Sequence, residues 1–151
     1  EIGMPFSDPM ADGPTIQLSS NRAISNGIDL ENIFSLAAEA KKIKSDLPII
    51  LMGYYNLILY FGIEKFVKRC KENGVDGLII VDLQPEEDQD LINELKNNTQ
   101  TKFLIITHNK ITMSSIDRVY GVTMPQKGIS DIVSVDFEKV DLQEAIWWLV
   151  T

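Results

Sequence analysis

The opening stretch Glu1-Ile2-Gly3-Met4-Pro5-Phe6-Ser7-Asp8-Pro9-Met10-Ala11-Asp12-Gly13-Pro14-Thr15-Ile16-Gln17 decides how the rest of the chain is read. It packs three acids, three prolines and two glycines into one connection, so it is a shaped loop rather than a regular element. Glycine reaches backbone conformations that other residues avoid and proline fixes φ, so Gly3, Pro5, Pro9, Gly13 and Pro14 hold Asp8 and Asp12 on a defined course. Pro14 then stands where a first helical turn begins. The pattern over 15–26 closes at Gly27, following the proline-at-start, glycine-at-end asymmetry of helices.

Composition bounds the function. With 44% hydrophobic residues in 151, the chain can bury a core within one domain. A formal net charge of -8 and the lack of a dense Lys/Arg cluster argue against nucleic-acid and anionic membrane surfaces. Phosphate-bearing small molecules stay open, because loop amides bind them without net positive charge. Cys70 is the single cysteine, which excludes an internal disulfide and fits a reducing, cytoplasmic setting. No apolar run reaches membrane-spanning length. Glu1 is not a start methionine, so the chain is expected to begin mid-fold.

Outward from the opening loop, Asp29 caps a second helical pattern through about Lys44, with Ile33, Phe34, Leu36, Ala37, Ala40 and Ile43 expected on one side. Pro48 ends it. Ile49-Ile50-Leu51-Met52-Gly53-Tyr54 reads as a short buried strand stopping in the corner Tyr54-Tyr55-Asn56, and a further helix covers 63–72. Asn73-Gly74 stops that helix, and Leu78-Ile79-Ile80-Val81 is the next strand, ending in Asp82. Pro85-Glu86-Glu87 opens a helix to about Asn97, and 103–106 is another strand.

Continuously apolar strands alternating with helices imply parallel β/α units, with Glu1, Tyr54, Asp82 and Thr107 at one common end. The expected fold is α/β. If Glu1 ends a strand, these units amount to roughly half of a (β/α)₈ barrel, which typically needs about 250 residues. An open three-layer sheet is the structural alternative. Half a barrel leaves two sheet edges unpaired, so the isolated chain is expected to self-associate or be partly molten. Beyond Ile106 the pattern weakens: 112–119 is compatible with a helix, 121–128 with a loop, 129–135 with a strand and 137–149 with a helix.

The unbroken run from Glu1 to Gln17 resembles the signature of the tryptophan synthase alpha subunit family. The resemblance continues through Pro48-Ile49-Ile50-Leu51-Met52-Gly53-Tyr54-Tyr55-Asn56 and Gly74-Val75-Asp76-Gly77-Leu78-Ile79-Ile80-Val81-Asp82-Leu83-Gln84-Pro85-Glu86-Glu87, in the family's order. It covers roughly the first two-thirds of the chain. It implies a partial TIM barrel over 1–120, lacking the first strand and the C-terminal units, with 121–151 a diverged or unrelated end.

The same resemblance implies an activity, cleavage of indole-3-glycerol phosphate to indole and glyceraldehyde 3-phosphate. The indole would pass to a beta subunit that carries pyridoxal phosphate, the alpha chain itself needing no cofactor and no metal. Glu1 becomes the general acid/base, and Asp12 holds the indole N–H and stabilises charge on the ring. Two carboxyls with such separate roles need separate environments. Tyr54 is placed beside the substrate, while Pro5, Asp8 and Asn56 face the beta subunit. Gly121-Val122-Thr123 is similar to a family loop whose threonine supports the catalytic aspartate, although Met124 stands where the family has glycine. The family's glycine-rich phosphate-binding segments have no counterpart here, and Gln84 replaces a usual proline.

Each of these residues has a plainer reading. Asp12-Gly13 is a common turn, Asp8 a turn former before Pro9, Tyr54 a strand-end packing residue, and Glu1 an exposed terminal acid. Asp82 reads as an acid behind the site or as a helix cap. His108 reads as a loop residue, Cys70 as inert, and Glu86-Glu87-Asp88 as helix-start chemistry rather than a metal site. Two functions follow: an alpha-type lyase impaired by truncation, or a non-catalytic barrel remnant that keeps the partner-facing loop. Another phosphate-binding barrel enzyme is disfavoured by the missing phosphate loops.

Overall fold

Strand β1 (Ile2–Gly3) pairs parallel with β2 (Ile50–Gly53), β2 with β3 (Gly77–Ile80) and β3 with β4 (Lys102–Leu104), in the order β1-β2-β3-β4. The structure is a computed structural model that describes residues 1–83, 90–105 and 118–136. The chain falls into two compact units, Glu1–Ile106 and Thr107–Thr151, and the parallel sheet belongs to the first.

Helices α1 (Pro14–Ser25) and α2 (Leu30–Ile43) follow β1, α3 (Tyr55–Phe61) and α4 (Ile63–Glu72) follow β2, and α5 (Asp90–Asn98) follows β3. β2 and β3 are short and apolar, as strands covered by helices generally are. α2 starts at the expected Asp29, whose carboxylate accepts the Asn32 amide at 2.9 Å while Asn32 Oδ1 accepts the Asp29 amide at 2.9 Å. This reciprocal cap is what makes Asp29 a firm helix start.

The core forms on one side of the sheet. Leu51, Leu78 and Ile80 pack there with Phe34 of α2, Phe66 of α4 and Leu91 of α5. Phe34 and Phe66 meet edge to face with centroids 5.5 Å apart. Arg69 of α4 donates to Glu31 Oε2 of α2 at 2.7 Å and to Glu72 at 3.2 Å, holding the two helices in register. At the amino end of β2, Asp76 Oδ2 accepts the Ile49 amide at 2.7 Å and Lys41 Nζ at 2.8 Å.

Sequential strand order with helices packed against one face is the arrangement of consecutive barrel units. A doubly wound sheet reverses its order and carries helices on both faces, so the open three-layer alternative does not describe this unit. The sheet's other face carries Ile50, Met52, Ile79 and Leu104, which stand outside the helix-side core.

Several elements differ from the sequence expectation. Tyr55 does not end a corner but opens α3, a helix whose short apolar run YNLILYF is hard to tell from an extended segment. Gly62, at φ 93, separates α3 from α4, a conformation only glycine adopts cheaply. α5 is described from Asp90, so the expected start at Pro85 and the acids Glu86, Glu87 and Asp88 lie outside the described residues.

In the second unit, β5 (Arg118–Gln126) and β6 (Ile129–Asp136) form an antiparallel hairpin. Residues 121–128 are therefore mostly strand, not loop, and Arg118 and Val119 are strand rather than the end of a helix. Val119, Tyr120, Val122 and Thr123 are β-branched or aromatic, which suits a pleated strand. The reversal is made by Lys127-Gly128, with Gly128 at φ 85. Register shifts between Thr123 and Gln126, where Pro125 has no N–H to give to the ladder. The segment 129–135, only weakly patterned as a strand in the sequence, is β6. The expected boundary between 120 and 121 falls within β5. The helix expected over 137–149, Thr107 and His108 lie outside the described residues.

Candidate functional site

The loop after β1 returns across the carboxyl end of the sheet because the sequence pins it at both ends. The Met4 amide donates to Met52 O at 2.7 Å, extending the β1–β2 ladder by one residue, and Met4 is buried. At the far end the Asp12 amide donates to Pro9 O at 3.2 Å in a turn, and Gln17 Nε2 of α1 donates to Asp12 O at 2.9 Å. Pro14 then begins α1 at the position where its missing N–H costs nothing.

Tyr54 joins this loop to the next strand. It follows β2 directly, is 5% exposed, and its hydroxyl donates to Asp12 Oδ2 at 3.0 Å while accepting the Ala11 amide at 3.1 Å. Its ring lies 5.2 Å from that of Phe6, tilted by 34°. Burial pushes the Tyr54 hydroxyl above its ordinary value, with the Asp12 and Asp82 carboxylates adding to the rise and the Ala11 amide opposing it. The phenol is thus held neutral, as a donor to a carboxylate must be.

Asp82 follows β3 at the same end of the sheet, and its Oδ1 accepts the Tyr55 amide at 2.6 Å. The contact is given across strands to the first turn of α3. Through Tyr55 it fixes the chain direction just after Tyr54.

The remaining expected residues fall in three places. The sequence reading puts Glu1 at the carboxyl end of a strand, whereas in the structure it precedes β1 and is exposed. Ile2 is level with Leu51 and Gly3 with Met52, so the strand continues past Glu1 instead of ending at it. Pro5, half-buried, and Asp8, exposed, lie in the loop after β1, with Ser7 Oγ donating to Asp8 Oδ2 at 2.6 Å. Asn56 is exposed in the first turn of α3. Thr123 is exposed on β5 of the second unit, paired in register with Asp131.

The structure therefore brings Asp12 and Tyr54 together at the end of the sheet that also carries Pro5, Asp8, Asn56 and Asp82. Three contributors escaped the sequence reading: Phe6 against the Tyr54 ring, Gln17 clamping Asp12, and the Ala11 amide. Only Gln17 left a trace, as a polar residue at the start of a helix beside a loop acid. Among the described residues no group of three or more His, Cys, Asp or Glu side chains is arranged to hold a metal ion. No helix among them is long and apolar enough to cross a membrane.

Comparison with known proteins identifies the arrangement. The profile of the tryptophan synthase alpha chain family matches residues 1–134, ending within β6. The chain is 49% identical over 105 residues to the tryptophan synthase alpha chain of Lachnospira eligens, covering 70% of this chain and 40% of that one. It is 41% identical over 135 residues to the alpha chain of a Thermoanaerobacter species, covering 89% of this chain and 49% of that one. Among solved structures, tryptophan synthase subunit alpha of Legionella pneumophila superposes with a TM-score of 0.69 at 34% identity, over 74% of this chain and 44% of that one. The tryptophan synthase complex of Pyrococcus furiosus superposes with a TM-score of 0.61 at 39% identity, over 66% of this chain and 41% of that one. The chain spans about half the length of the curated relatives it matches. Its parallel sheet, the loop carrying Asp12 and the matched profile agree, and the chain belongs to the tryptophan synthase alpha chain family, of whose TIM barrel it forms a part.

Proposed function

We propose that this chain carries the Asp12 portion of an indole-3-glycerol-phosphate lyase site, cleaving that substrate to indole and glyceraldehyde 3-phosphate in tryptophan biosynthesis. The observation that carries the reading is the 3.0 Å hydrogen bond from Tyr54 to Asp12 Oδ2 at the carboxyl end of a parallel sheet, where barrel enzymes keep their chemistry.

The reaction is a retro-aldol cleavage. The carbon–carbon bond between the indole ring and the glycerol phosphate chain breaks, a proton is added to the ring carbon, and a proton leaves the neighbouring hydroxyl as it becomes an aldehyde. Protonating the ring carbon places positive charge on the indole, which a carboxylate at its N–H stabilises. Asp12 suits that task, because Tyr54 engages one carboxylate oxygen and so orients the other. Glu1 takes the role of general acid/base that delivers and removes the protons. Thr123 is assigned a supporting contact to Asp12, and Tyr54 a place beside the substrate.

Pro5, Asp8 and Asn56 are assigned to a surface for a tryptophan synthase beta subunit. Two lie in the loop after β1 and one at the start of α3, so they share the sheet's carboxyl end with Asp12. Pyridoxal phosphate belongs to that partner, and the alpha-type reaction uses no cofactor of its own. The reaction and the partner both fit a cytoplasmic protein.

A second reading has an observation in its favour. Among the described residues Tyr54 orients Asp12, and Pro5, Asp8 and Asn56 stay together at the same end of the sheet, as a non-catalytic remnant that keeps the partner-facing loop would have them. Indole release from indole-3-glycerol phosphate separates the two. It is measured with the chain alone, with a beta subunit, and with a polypeptide supplying the complementary barrel half. Activity that appears with the complement and depends on Asp12 upholds the lyase reading. Co-purification with a beta subunit and no turnover under any of these conditions upholds the remnant.

A further inference from the structure

Two carboxylates bracket β3, and each takes a backbone amide beside β2. Asp76, just ahead of β3, accepts the Ile49 amide at 2.7 Å, and Asp82, just beyond it, accepts the Tyr55 amide at 2.6 Å. The first contact lies at the amino end of β2 and shares its oxygen with Lys41. The second lies at the carboxyl end, on the residue that follows Tyr54. The same device therefore grips both ends of one strand, and only the Asp82 end adjoins Asp12.

The end of β3 holds Tyr54 by both of its flanking peptides. The Gly53 carbonyl accepts the Val81 amide at 2.9 Å, and the Tyr55 amide goes to the next residue, Asp82. This fixes the backbone from which the phenol projects. The fixing matters because the hydroxyl makes two bonds at once, to Asp12 Oδ2 at 3.0 Å and from the Ala11 amide at 3.1 Å. Hydrogen bonds weaken steeply as they bend, so a tilt of the Tyr54 backbone, carried along a rigid ring, reaches Asp12 as a misaligned donor. The Val81 bond belongs to the backbone and continues the β2–β3 ladder. The Asp82 bond is made by a side chain, and its ionised acceptor makes it the stronger kind.

The same phenol also feels the Asp82 charge. Burial raises the Tyr54 hydroxyl above its ordinary value, and the Asp12 and Asp82 carboxylates add to the rise. Both acids thus bear on one neutral donor.

We propose that Asp82 is a positioning residue for Asp12, acting through the Tyr55 amide and Tyr54 rather than by touching substrate. Its catalytic consequence rests on the lyase reading of Asp12, whereas the alignment itself does not.

The test reads the alignment first and turnover second. In the 151-residue chain, tyrosine labelled with heavy carbon at the ring carbon bearing the hydroxyl gives a magnetic resonance signal sensitive to that hydroxyl's hydrogen bonds. The Tyr54 signal is the one missing from Tyr54→Phe. Asp82→Ala is expected to move it toward its position in Asp12→Ala. Asp82→Asn keeps an acceptor for the amide and stays near the wild type, as does Asp76→Ala, which cuts the matching contact at the other end of β2. With a polypeptide that completes the barrel, kcat for indole release is expected to fall about three- to tenfold in Asp82→Ala at unchanged KM. Combined with Tyr54→Phe, Asp82→Ala should cost nothing beyond Tyr54→Phe alone, because the hydroxyl it acts through is gone. Asp82 is exposed, so alanine opens no cavity there. Should that variant fail to fold, Asp82→Ser, polar but one atom shorter, takes its place. An unmoved Tyr54 signal in Asp82→Ala, equal movement in Asp76→Ala, a loss in Asp82→Asn as large as in Asp82→Ala, or additive losses with Tyr54→Phe would each overturn the proposal. A moved signal with no turnover in any completed preparation upholds the alignment of Asp12 by Asp82 and counts against the lyase reading instead.

Discussion

The Tyr54 hydroxyl stands between Asp12 and Ala11, giving its proton to the carboxylate at 3.0 Å and receiving the amide at 3.1 Å. One phenol at the end of β2 thus holds the tip of the loop that follows β1. Tyr54→Phe removes both bonds and keeps the ring against Phe6. Because the carboxylate and the amide can turn to water, the expected cost is about 1–2 kcal/mol, and the loop over 5–14 becomes more easily cut by protease. Denaturant midpoints and limited proteolysis measure the two effects.

The same contact has an alkaline signature. The hydroxyl is held above its ordinary value of 10.0 by burial first and then by the Asp12 and Asp82 carboxylates. A raised folded value favours the neutral phenol, so its stabilisation is fully present below 10.0 and lost as pH rises through the folded value. Absorbance of tyrosinate is expected to show a component that ionises late, above 10.0. That late component disappears in Tyr54→Phe. If it persists, the neighbouring carboxylates do not act on Tyr54.

Legibility of the chain tracks how local the deciding interaction is. Asp29 and Pro14 announce helix starts through contacts within four residues, and both helices begin there. The strands at Ile50 and Gly77 are legible as apolar runs after Pro48 and Asn73-Gly74. The first turn of α3 is not legible locally, because its amide partner is Asp82, far along the chain. The β5–β6 hairpin was misread for another reason, since Pro125 and the glycines suggest a loop until Gly128 is seen to be the turn itself. In the site, the opening motif marks Asp12 and Tyr54 as important, but neither residue type indicates that they touch.

Asp76 makes the fold sensitive to acid. Burial opposes its ionisation, but Lys41 and the Ile49 amide outweigh it and hold the carboxyl below its ordinary value of 3.8. A depressed folded value contributes stability that is complete above 3.8 and lost as pH falls through the folded value. The Asp76 side chain is 49% exposed, so solvent screening limits the advantage of the wild type over Asp76→Asn to below about 1 kcal/mol at neutral pH. Melting curves at stepwise lower pH are expected to show this gap closing only below 3.8. A gap of constant size would mean that the amide bond to Ile49, which asparagine can also accept, carries the whole effect.

Gly53, the last residue of β2, lies against Met4, which follows β1. An alanine Cβ there would lie 2.7 Å from Met4 Cε and 2.9 Å from Met4 Cβ. The first clash is relieved by rotating a flexible side chain, but the second involves an atom fixed to the backbone. Gly53→Ala is therefore expected to push β1 away and cost about 1–3 kcal/mol. Gly3→Ala, with nothing within 4 Å, is expected to be nearly neutral. Equal midpoints for the two variants would show that β1 yields freely.

Turnover gives the last expectation, and it depends on separating proton transfer from positioning. A general acid/base group contributes about 10²–10⁴-fold, but only to a substrate already held in place. Positioning itself accounts for roughly 7–11 kcal/mol of a barrier. In the described unit Asp12 is oriented by Tyr54, and the chain spans about half the length of the curated relatives it matches. The 151-residue chain alone is therefore expected to release indole at a rate near background, and Asp12→Asn changes little there. With a polypeptide that completes the barrel, activity is expected to appear and to fall about 10²–10⁴-fold on Asp12→Asn, a loss carried by kcat. Tyr54→Phe should cost much less, because it orients Asp12 without handling the proton. Robust turnover by the chain alone, abolished by Asp12→Asn, would mean that the described unit already supplies the positioning assigned here to the rest of the barrel.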